Sequence, residues 1–313
     1  AHITLTPANL HYLQWGIDGT NSAGDLGVAT NLTYEHRNFF KGGERFQVRL
    51  NGAYEFITAS DSSNLVDQSF YEYGAEAFLS IPYLLLPSGI SGLRDRPMAS
   101  TEFSIGANFQ KRPEYLRQFL NLSSRMQWSS FNWKFNHALE PIDINYVRMP
   151  WVSEKFRQEY LSDEANPILR YSYENQLIAL SSYYLSYTNV SPENIPRHSF
   201  RIRAGVEVAG YMFRLANVFK ESKVNKDGQK EIWGIPYAEY VKGDFDLAPT
   251  FTIDDNTVIA THFALGVAYP YGNSIVLPFE KRYFGGGANS VRGWSTRTLG
   301  PGTYNRDSVG YDF

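Results

Sequence analysis

Sustained two-residue alternation constrains this chain more than any other feature. In ERFQVRLNGAYEF, Phe46, Val48, Leu50, Tyr54 and Phe56 share one face, and Arg45, Gln47, Arg49, Asn51 and Glu55 share the other. SFRIRAGVEVAG sets Phe200, Ile202, Ala204, Val206 and Val208 against Arg201, Arg203, Gly205 and Glu207. TEFSIGANFQ repeats the pattern, with Phe103, Ile105, Ala107 and Phe109 opposite Glu102, Ser104, Asn108 and Gln110. Successive side chains of a strand point to opposite faces, so each segment has one greasy and one polar surface. The chain is therefore read as all-β.

Segment length then separates two kinds of β protein. A soluble sandwich also alternates, with its apolar face inward and its polar face in water. Here the segments often run ten residues or more, beyond the roughly five or six usual in globular strands. They match the roughly 9–11 tilted residues that cross a bilayer, apolar outward and polar toward a lumen. Composition agrees: 22 Tyr and 21 Phe among 313 residues sit beside a mean hydropathy of −0.36, as when apolar residues alternate instead of clustering. No window reaches the roughly 18 apolar residues of a membrane helix. A soluble all-β binding protein is the alternative, and extraction without detergent would mark it.

Connections sort by length. FKGGE (40–44), QWSSFN (127–132) and DDNT (254–257) read as short turns, and 58–70, 153–175 and 219–234 as longer polar excursions. Membrane barrels pair short turns at one end with longer loops at the other. The stretch 82–100 breaks this rule, being long where a short turn is due. Within 153–167, Ser153 reads as the N-cap of a short helix that stops before Pro167. Strands are predicted near 9–18, 26–37, 44–57, 71–81, 101–112, 115–128, 133–149, 176–188, 198–218, 235–253 and 257–271. That is about eleven, an odd number. Single-chain bacterial barrels have even counts, because an unpaired edge in lipid costs several kcal/mol per orphaned polar group. The chain is expected to be part of a barrel.

Signals for chemistry are sparse. The chain has no cysteine, so it has neither disulfides nor thiolate metal sites. A net charge of −3 gives no basic field for nucleic acid. The start, AHITLTPANL, lacks the basic and apolar regions of a signal peptide, as a trimmed start also would. FGGGANSVRG has no Lys-Ser/Thr after its glycines and no βαβ context, which excludes a phosphate loop and a dinucleotide fingerprint. The six histidines show no i,i+4 pair for a metal, and no Gly-x-Ser-x-Gly elbow occurs. A barrel hydrolase would need a Ser–His pair such as Ser129 and His137, which nothing in their spacing demands. No enzyme activity, cofactor or metal is expected.

The tail carries a composite motif in PFEKRYFGGGANSVRGWSTRTLGPG. Phe284, Gly286 and Gly287 fit a Phe-x-x-Gly-Gly loop start beside Gly285, and Val291, Arg292, Gly293 and Trp294 fit Val-Arg-Gly-aromatic. Leu299, Gly300 and Pro301 supply a trailing Leu-Gly-Pro. Together with YEHRNFFKGGERFQVRLNGAYEF near the start, this resembles the outer-membrane assembly and translocation superfamily typified by BamA and TamA. Trp294 stands where Phe or Tyr is more usual, which keeps the aromatic role.

The resemblance implies a transmembrane antiparallel β-barrel of sixteen strands in the bacterial outer membrane, with this motif in the sixth extracellular loop. By that alignment, residues 1–313 are a partial barrel domain, 272–313 the sixth loop, and POTRA domains and the last strands lie outside the chain. It further implies that the loop folds back into the barrel and that Arg292 meets polar or acidic groups on the inner wall. A guanidinium cannot be neutralised, and breaking a buried pair costs about 3–5 kcal/mol, so such an arginine would lock the loop. Glycines permit the close approach this needs, and Trp294 adds packing area. The family mechanism uses a seam beside the first strand, here His11, Leu13, Trp15 and Ile17 on one face, to template incoming strands. The implied partners are the lipid bilayer, unfolded outer-membrane proteins, and a periplasm-spanning TamB-like protein or accessory assembly lipoproteins. Within the superfamily the motif is most like the TamA-like lipoproteins of Bacteroidota. A BamA-type general insertase, a two-partner-secretion pore and a passive channel stay open as alternatives.

Overall fold

The computed structural model describes residues 9–22, 25–56, 69–85, 97–131, 133–161, 173–191, 196–215, 223–225, 228–287, 290–294 and 299. The alternating segments become strands that pair in chain order, each antiparallel to its predecessor. They are β1 (His11–Ser22), β2 (Asp25–Arg37), β3 (Arg45–Phe56), β4 (Ser69–Ile81), β5 (Ser100–Lys111), β6 (Tyr115–Ser130), β7 (Phe135–Val152), β8 (Gln176–Thr188) and β9 (His198–Ala209). The sheet continues from β9 to β13 (Tyr240–Asp254), which β14 (Thr257–Ala260) and β15 (Phe263–Pro270) line on its far side. Between β9 and β13 a small separate sheet forms from β10 (Lys223–Val224), β11 (Lys230–Ile232) and β12 (Ile235–Pro236).

β14 and β15 are two halves of one interrupted strand. β14 pairs with Thr250–Asp254 of β13 and β15 with Tyr240–Leu247, so together they run its length. The break faces Pro249. The Thr261 N–H donates to the Pro249 carbonyl at 3.0 Å, but proline has no N–H to return, and the ladder loses a rung. Counted this way, eleven strands make the wall among the described residues, as the alternation predicts. A second proline, Pro141, sits at the bulge where β7 slips register against both β6 and β8.

The wall is inside-out relative to a soluble protein. Its apolar faces are exposed: Leu50, Tyr54 and Phe56 on β3, Phe103 and Ile105 on β5, Leu265 and Val267 on β15. Its polar faces bond among themselves. Asn108 donates to Glu72 at 2.7 Å, Asn121 to Asp143 at 2.9 Å, and Arg125 to Glu140 at 2.7 Å. Water would reverse this arrangement, because exposing apolar area costs about 25 cal/mol per Å². A bilayer around the outer face removes that cost. No helix among the described residues is long and apolar enough to cross a membrane, so the strands are what cross.

Buried apolar side chains collect at one end, where β8 is covered on both sides. Ile178, Leu180, Ala209, Ala238 and Tyr240 pack with Leu277, and Leu177, Ile232 and Tyr237 pack with Phe213 and Ile235. This is the end of the long connections, 57–68, 153–175 and 210–239; the opposite end carries 38–44, 82–99, 131–134, 189–197 and 255–256. The long stretch at 82–99 is thus real, and Thr101 ties its start down by accepting from Leu85 N and donating to Tyr83 O, each at 2.9 Å.

Three local expectations change. Helix α1 (Glu154–Tyr160) starts as read, with Ser153 Oγ accepting from Phe156 N at 3.2 Å, but ends by Leu161. Residues 162–167 lie outside the described residues. The predicted strand 198–218 stops at Ala209, because Gly210 turns the chain at φ +85° into helix α2 (Tyr211–Leu215). A Cβ on Gly210 would lie 2.5 Å from Glu239 Cγ, so only glycine brings the two segments together. The predicted strand 235–253 starts only at Tyr240, since Ile235–Pro236 belongs to the small sheet.

Candidate functional site

The loop after β15 leaves the wall at Pro270 and has three parts: a root and an arm that bond neighbouring segments, and a tip. At the root, Glu239 gathers the chain ends. Only 1% of it is exposed, and it accepts two bonds from Arg214, Nε at 2.6 Å and Nη2 at 3.0 Å. It also accepts from Asn273 N at 2.6 Å, while its own N–H donates to Ser274 Oγ at 2.9 Å. A buried carboxylate needs this many donors to offset lost hydration. The same pairing raises the Arg214 pKa, and burial followed by the Glu239 charge pushes the Tyr237 hydroxyl up to about 12. Gly272, at φ +59°, has no room for a side chain: a Cβ there would meet Glu239 Oε2 at 2.0 Å. Asn273 stitches the root to the small sheet by accepting from Lys230 N at 2.6 Å and donating to the Lys230 and Tyr237 carbonyls, each at 2.9 Å.

The arm runs from Pro278 through a single 3-10 turn, Phe279–Lys281, to Tyr283. Neighbouring side chains reach in different directions. Glu280 pairs with Arg117 on β6, and Lys281 Nζ lies 3.4 Å from Glu207 Oε2 on β9. Those strands are three places apart in the sheet, about 14 Å along the wall at the usual strand spacing. The arm therefore braces the polar face of the wall across four strands. Glu207 is held from its other oxygen by the Tyr240 hydroxyl. Farther in, the Tyr283 hydroxyl donates to Asp244 Oδ1 at 2.6 Å and Gly243 O at 3.1 Å, and Lys242 Nζ lies 4.3 Å from its ring centroid. Burial, then the bond to Asp244, raises the Tyr283 pKa, so the hydroxyl stays a donor. Gly266 on β15 admits the ring, since a Cβ there would lie 2.4 Å from Tyr283 Cζ.

The tip holds the motif. Gly286 and Gly287 take φ of +87° and +90°, a region that β-carbons disfavour. Gly287 N donates to Trp294 O at 2.8 Å, closing the loop, and Trp294 N donates to Val291 O at 3.1 Å. Arg292 and Gly293 are the central residues of that last turn, and Val291, Arg292, Gly293 and Trp294 are exposed. Phe284 is exposed too, and Gly285 lies against Leu299, whose Cδ2 would be 2.9 Å from an added Cβ. Gly300 and Pro301 lie outside the described residues. The structure thus assembles the glycines, the Val-Arg-Gly-Trp turn and Leu299 into one unit. Among the described residues, Glu280, Lys281 and Tyr283 tie the arm to the wall, and sequence reasoning quoted them but did not single them out. The signal was present: a run of charged and aromatic residues between Pro278 and Phe284, in a loop otherwise built of small residues.

The first strand sits at one edge of the sheet and pairs with β2 through all twelve of its residues. His11, Leu13, Trp15 and Ile17 share its outward face, with Leu13, Trp15 and Ile17 at 67, 69 and 60% exposure. Trp15 Nε1 donates to Thr30 Oγ1 at 3.0 Å, and His11 Nδ1 lies 2.9 Å from the Tyr34 hydroxyl. At the short-turn end, Ser129 bonds Asn136 at 2.6 Å, while His137 lies between Ser130 at 2.8 Å and Tyr183 at 2.7 Å. His137 therefore pairs with the serine next to the one considered from sequence.

An antiparallel wall with an apolar outside, a polar inside and a loop braced back onto that inside defines a transmembrane β-barrel of the kind found in outer membranes. Residues 22–311 match the Omp85 superfamily domain, and the chain belongs to that superfamily. Its members are outer-membrane proteins of protein insertion and translocation, which sets the general location and role of this chain. Nearly all of β1 precedes the matched range. No curated protein matches the sequence.

Proposed function

We propose that this chain is the barrel wall of a TamA-like translocation and assembly factor, which inserts or translocates unfolded outer-membrane proteins through a lateral seam beside β1. It works without catalysis or cofactor, by strand templating. Its partners are the bilayer, the unfolded substrates, and a periplasm-spanning TamB-like protein or accessory assembly lipoproteins. The observation that carries this reading is the arm braced across β6 to β9 on the inner face. A segment fixed there narrows any route through the lumen and favours traffic at the edge. Edge traffic suits β1, whose ladder to β2 is complete and whose backbone can pair on its other side with an incoming strand. Arg292, at the centre of the tip turn, is proposed to hold that tip against the complete barrel.

Photo-crosslinking in the full-length protein tests this. A photoreactive residue at Gln14 on β1 is expected to trap unfolded outer-membrane protein substrates, and one at Asn51 on the inner wall is expected to trap none. Trapping at Asn51 alone would overturn the seam and leave the secretion-pore reading.

A further inference from the structure

We propose that the small sheet of β10 to β12 is a membrane foot, and that its Trp233 inserts into the lipid of the leaflet at the long-loop end. Strand register shows which side of the wall the sheet occupies. Leu177 is the cross-strand partner of Tyr146 and Tyr146 of Leu120, while Ile144 is the partner of Leu122. Cross-strand partners share a face, and Leu120 and Leu122 are half-exposed on the outer one. Against Leu177, Ile144 and Tyr146 pack Ile232 and Ile235 of the small sheet, with Tyr237 and Phe213 beside them. Helix α2 lies on the same side: Ser181, four residues on from Leu177 and so on the same face, is 2.7 Å from the Tyr211 hydroxyl. The segment between β9 and β13 therefore lies over the outer face of β7 and β8, on the lipid side of the wall.

Trp233 and Gly234 are the two turn residues between the paired Ile232 and Ile235, with φ of +54° and +78°. A two-residue hairpin turn of this kind favours Asn or Gly at its first position, and a bulky side chain there is strained. Trp233 is nevertheless 89% exposed, so no packing among the described residues offsets the strain. Strain kept without an internal gain points to function. Position selects the occupant. The foot continues the apolar outer face of Leu120 and Leu122, so the solvent that covers that face is the one beside Trp233. Tryptophan suits the boundary of a bilayer, where its ring lies among lipid and its one N–H stays near water and headgroups. Lipid also demands that backbone groups be paired. The foot meets this with its own ladder, Lys223–Val224 against Lys230–Glu231 and Glu231–Ile232 against Ile235–Pro236. Asn273 joins the foot to the root of the loop after β15, so a grip at Trp233 bears on that root.

Fluorescence of a nitrobenzoxadiazole label tests the proposal in the full-length protein, cleared of thiols outside this chain and reconstituted in phosphatidylethanolamine–phosphatidylglycerol vesicles. The chain itself has no cysteine, so each label has one place. A label at Trp233→Cys is expected to be quenched by brominated acyl chains and shielded from aqueous iodide. A label at Val267→Cys, on the outer face of β15, should behave alike. Quenching by iodide and not by brominated lipid would put the tip in water and overturn the anchor. Quenching by neither would mean that a protein surface, a second copy included, covers the tip, and would overturn it too. A label at Val224→Cys, where the valine is 61% exposed on β10, tests the tryptophan itself and serves also if the first label disturbs the turn. Its quenching by brominated lipid should survive Trp233→Tyr and fall several-fold in Trp233→Asn, a change that suits the turn and keeps the hairpin folded. Equal quenching with and without Trp233→Asn would remove Trp233 from this role.

Discussion

At the scale of single residues, carboxylates do the fastening. Glu207, Glu239 and Asp244 each receive a hydrogen-bond donor from a different part of the chain, so losing any one frees a segment and not merely a side chain. Glu44 shows the same device in a turn. Its carboxylate is folded under the β2–β3 connection and accepts from Gly42 N at 2.9 Å and Phe40 N at 3.3 Å. Its own backbone amide, then that of Gly42, holds its pKa below the usual carboxylate range. The folded pKa is lower than the unfolded one, so the carboxylate stabilises the turn above the unfolded pKa of about 4.3. That stability is lost as pH falls through the folded value. Protection factors at Phe40 and Gly42, exchange rates taken relative to the intrinsic rate at each pH, should therefore fall as pH drops through the lowered Glu44 pKa in the unmodified protein, whereas in Glu44→Ala they should be low throughout. A flat pH profile in the unmodified protein would remove the carboxylate from this role.

Among elements, the loop after β15 is attached through its arm, and a second attachment is proposed through Arg292 at its tip. The arm is braced by Lys281 and Glu207, whose side chains are 20 and 8% exposed. Lys281→Ala should cost between the about 1 kcal/mol of an exposed pair and the about 3 kcal/mol of a buried one. Arg292→Ala in the full-length protein should loosen the tip and impair assembly. Limited proteolysis of both variants and the double variant distinguishes the parts. Lys281→Ala should open cleavage beyond Pro278, Arg292→Ala only beyond Gly287, and the double variant should show both. Identical cleavage patterns in the two single variants would mean that arm and tip are one unit. The strands teach a related lesson. Pro249 interrupts the β14–β15 strand and Pro141 bulges β7, each because a missing N–H removes one rung from an otherwise regular ladder.

On the scale of the whole molecule, the exposed apolar face sets behaviour. Leu13, Trp15, Ile17, Leu265 and Val267 form part of an outer surface that water does not tolerate. The protein should stay in the membrane fraction through an alkaline carbonate wash and leave it only in detergent. Release by carbonate alone would contradict the bilayer-spanning wall. The polar inner face answers to a different solvent, the lumen, where Asn121, Asp143 and Asn145 bond across β6 and β7.

How much of this was legible in the sequence follows from the range of each interaction. The eleven-strand wall, its outward apolar face and the start of α1 at Ser153 could all be read directly. Alternation and capping are local rules, each written within a few residues. The motif at Phe284–Leu299 was legible as a unit for the same reason, since its glycines and its turn are neighbours in the chain. The stop of β9 at Gly210 was not, because that glycine answers to Glu239, distant in sequence. Nor was the brace, since nothing local tells Glu280 that Arg117 faces it or Lys281 that Glu207 does. Sequence alone determined which face of each strand meets lipid, because one dehydrated apolar face dictates register. Only the tertiary structure decided what the loop grips, because charge pairing between remote segments depends on where the wall brings them.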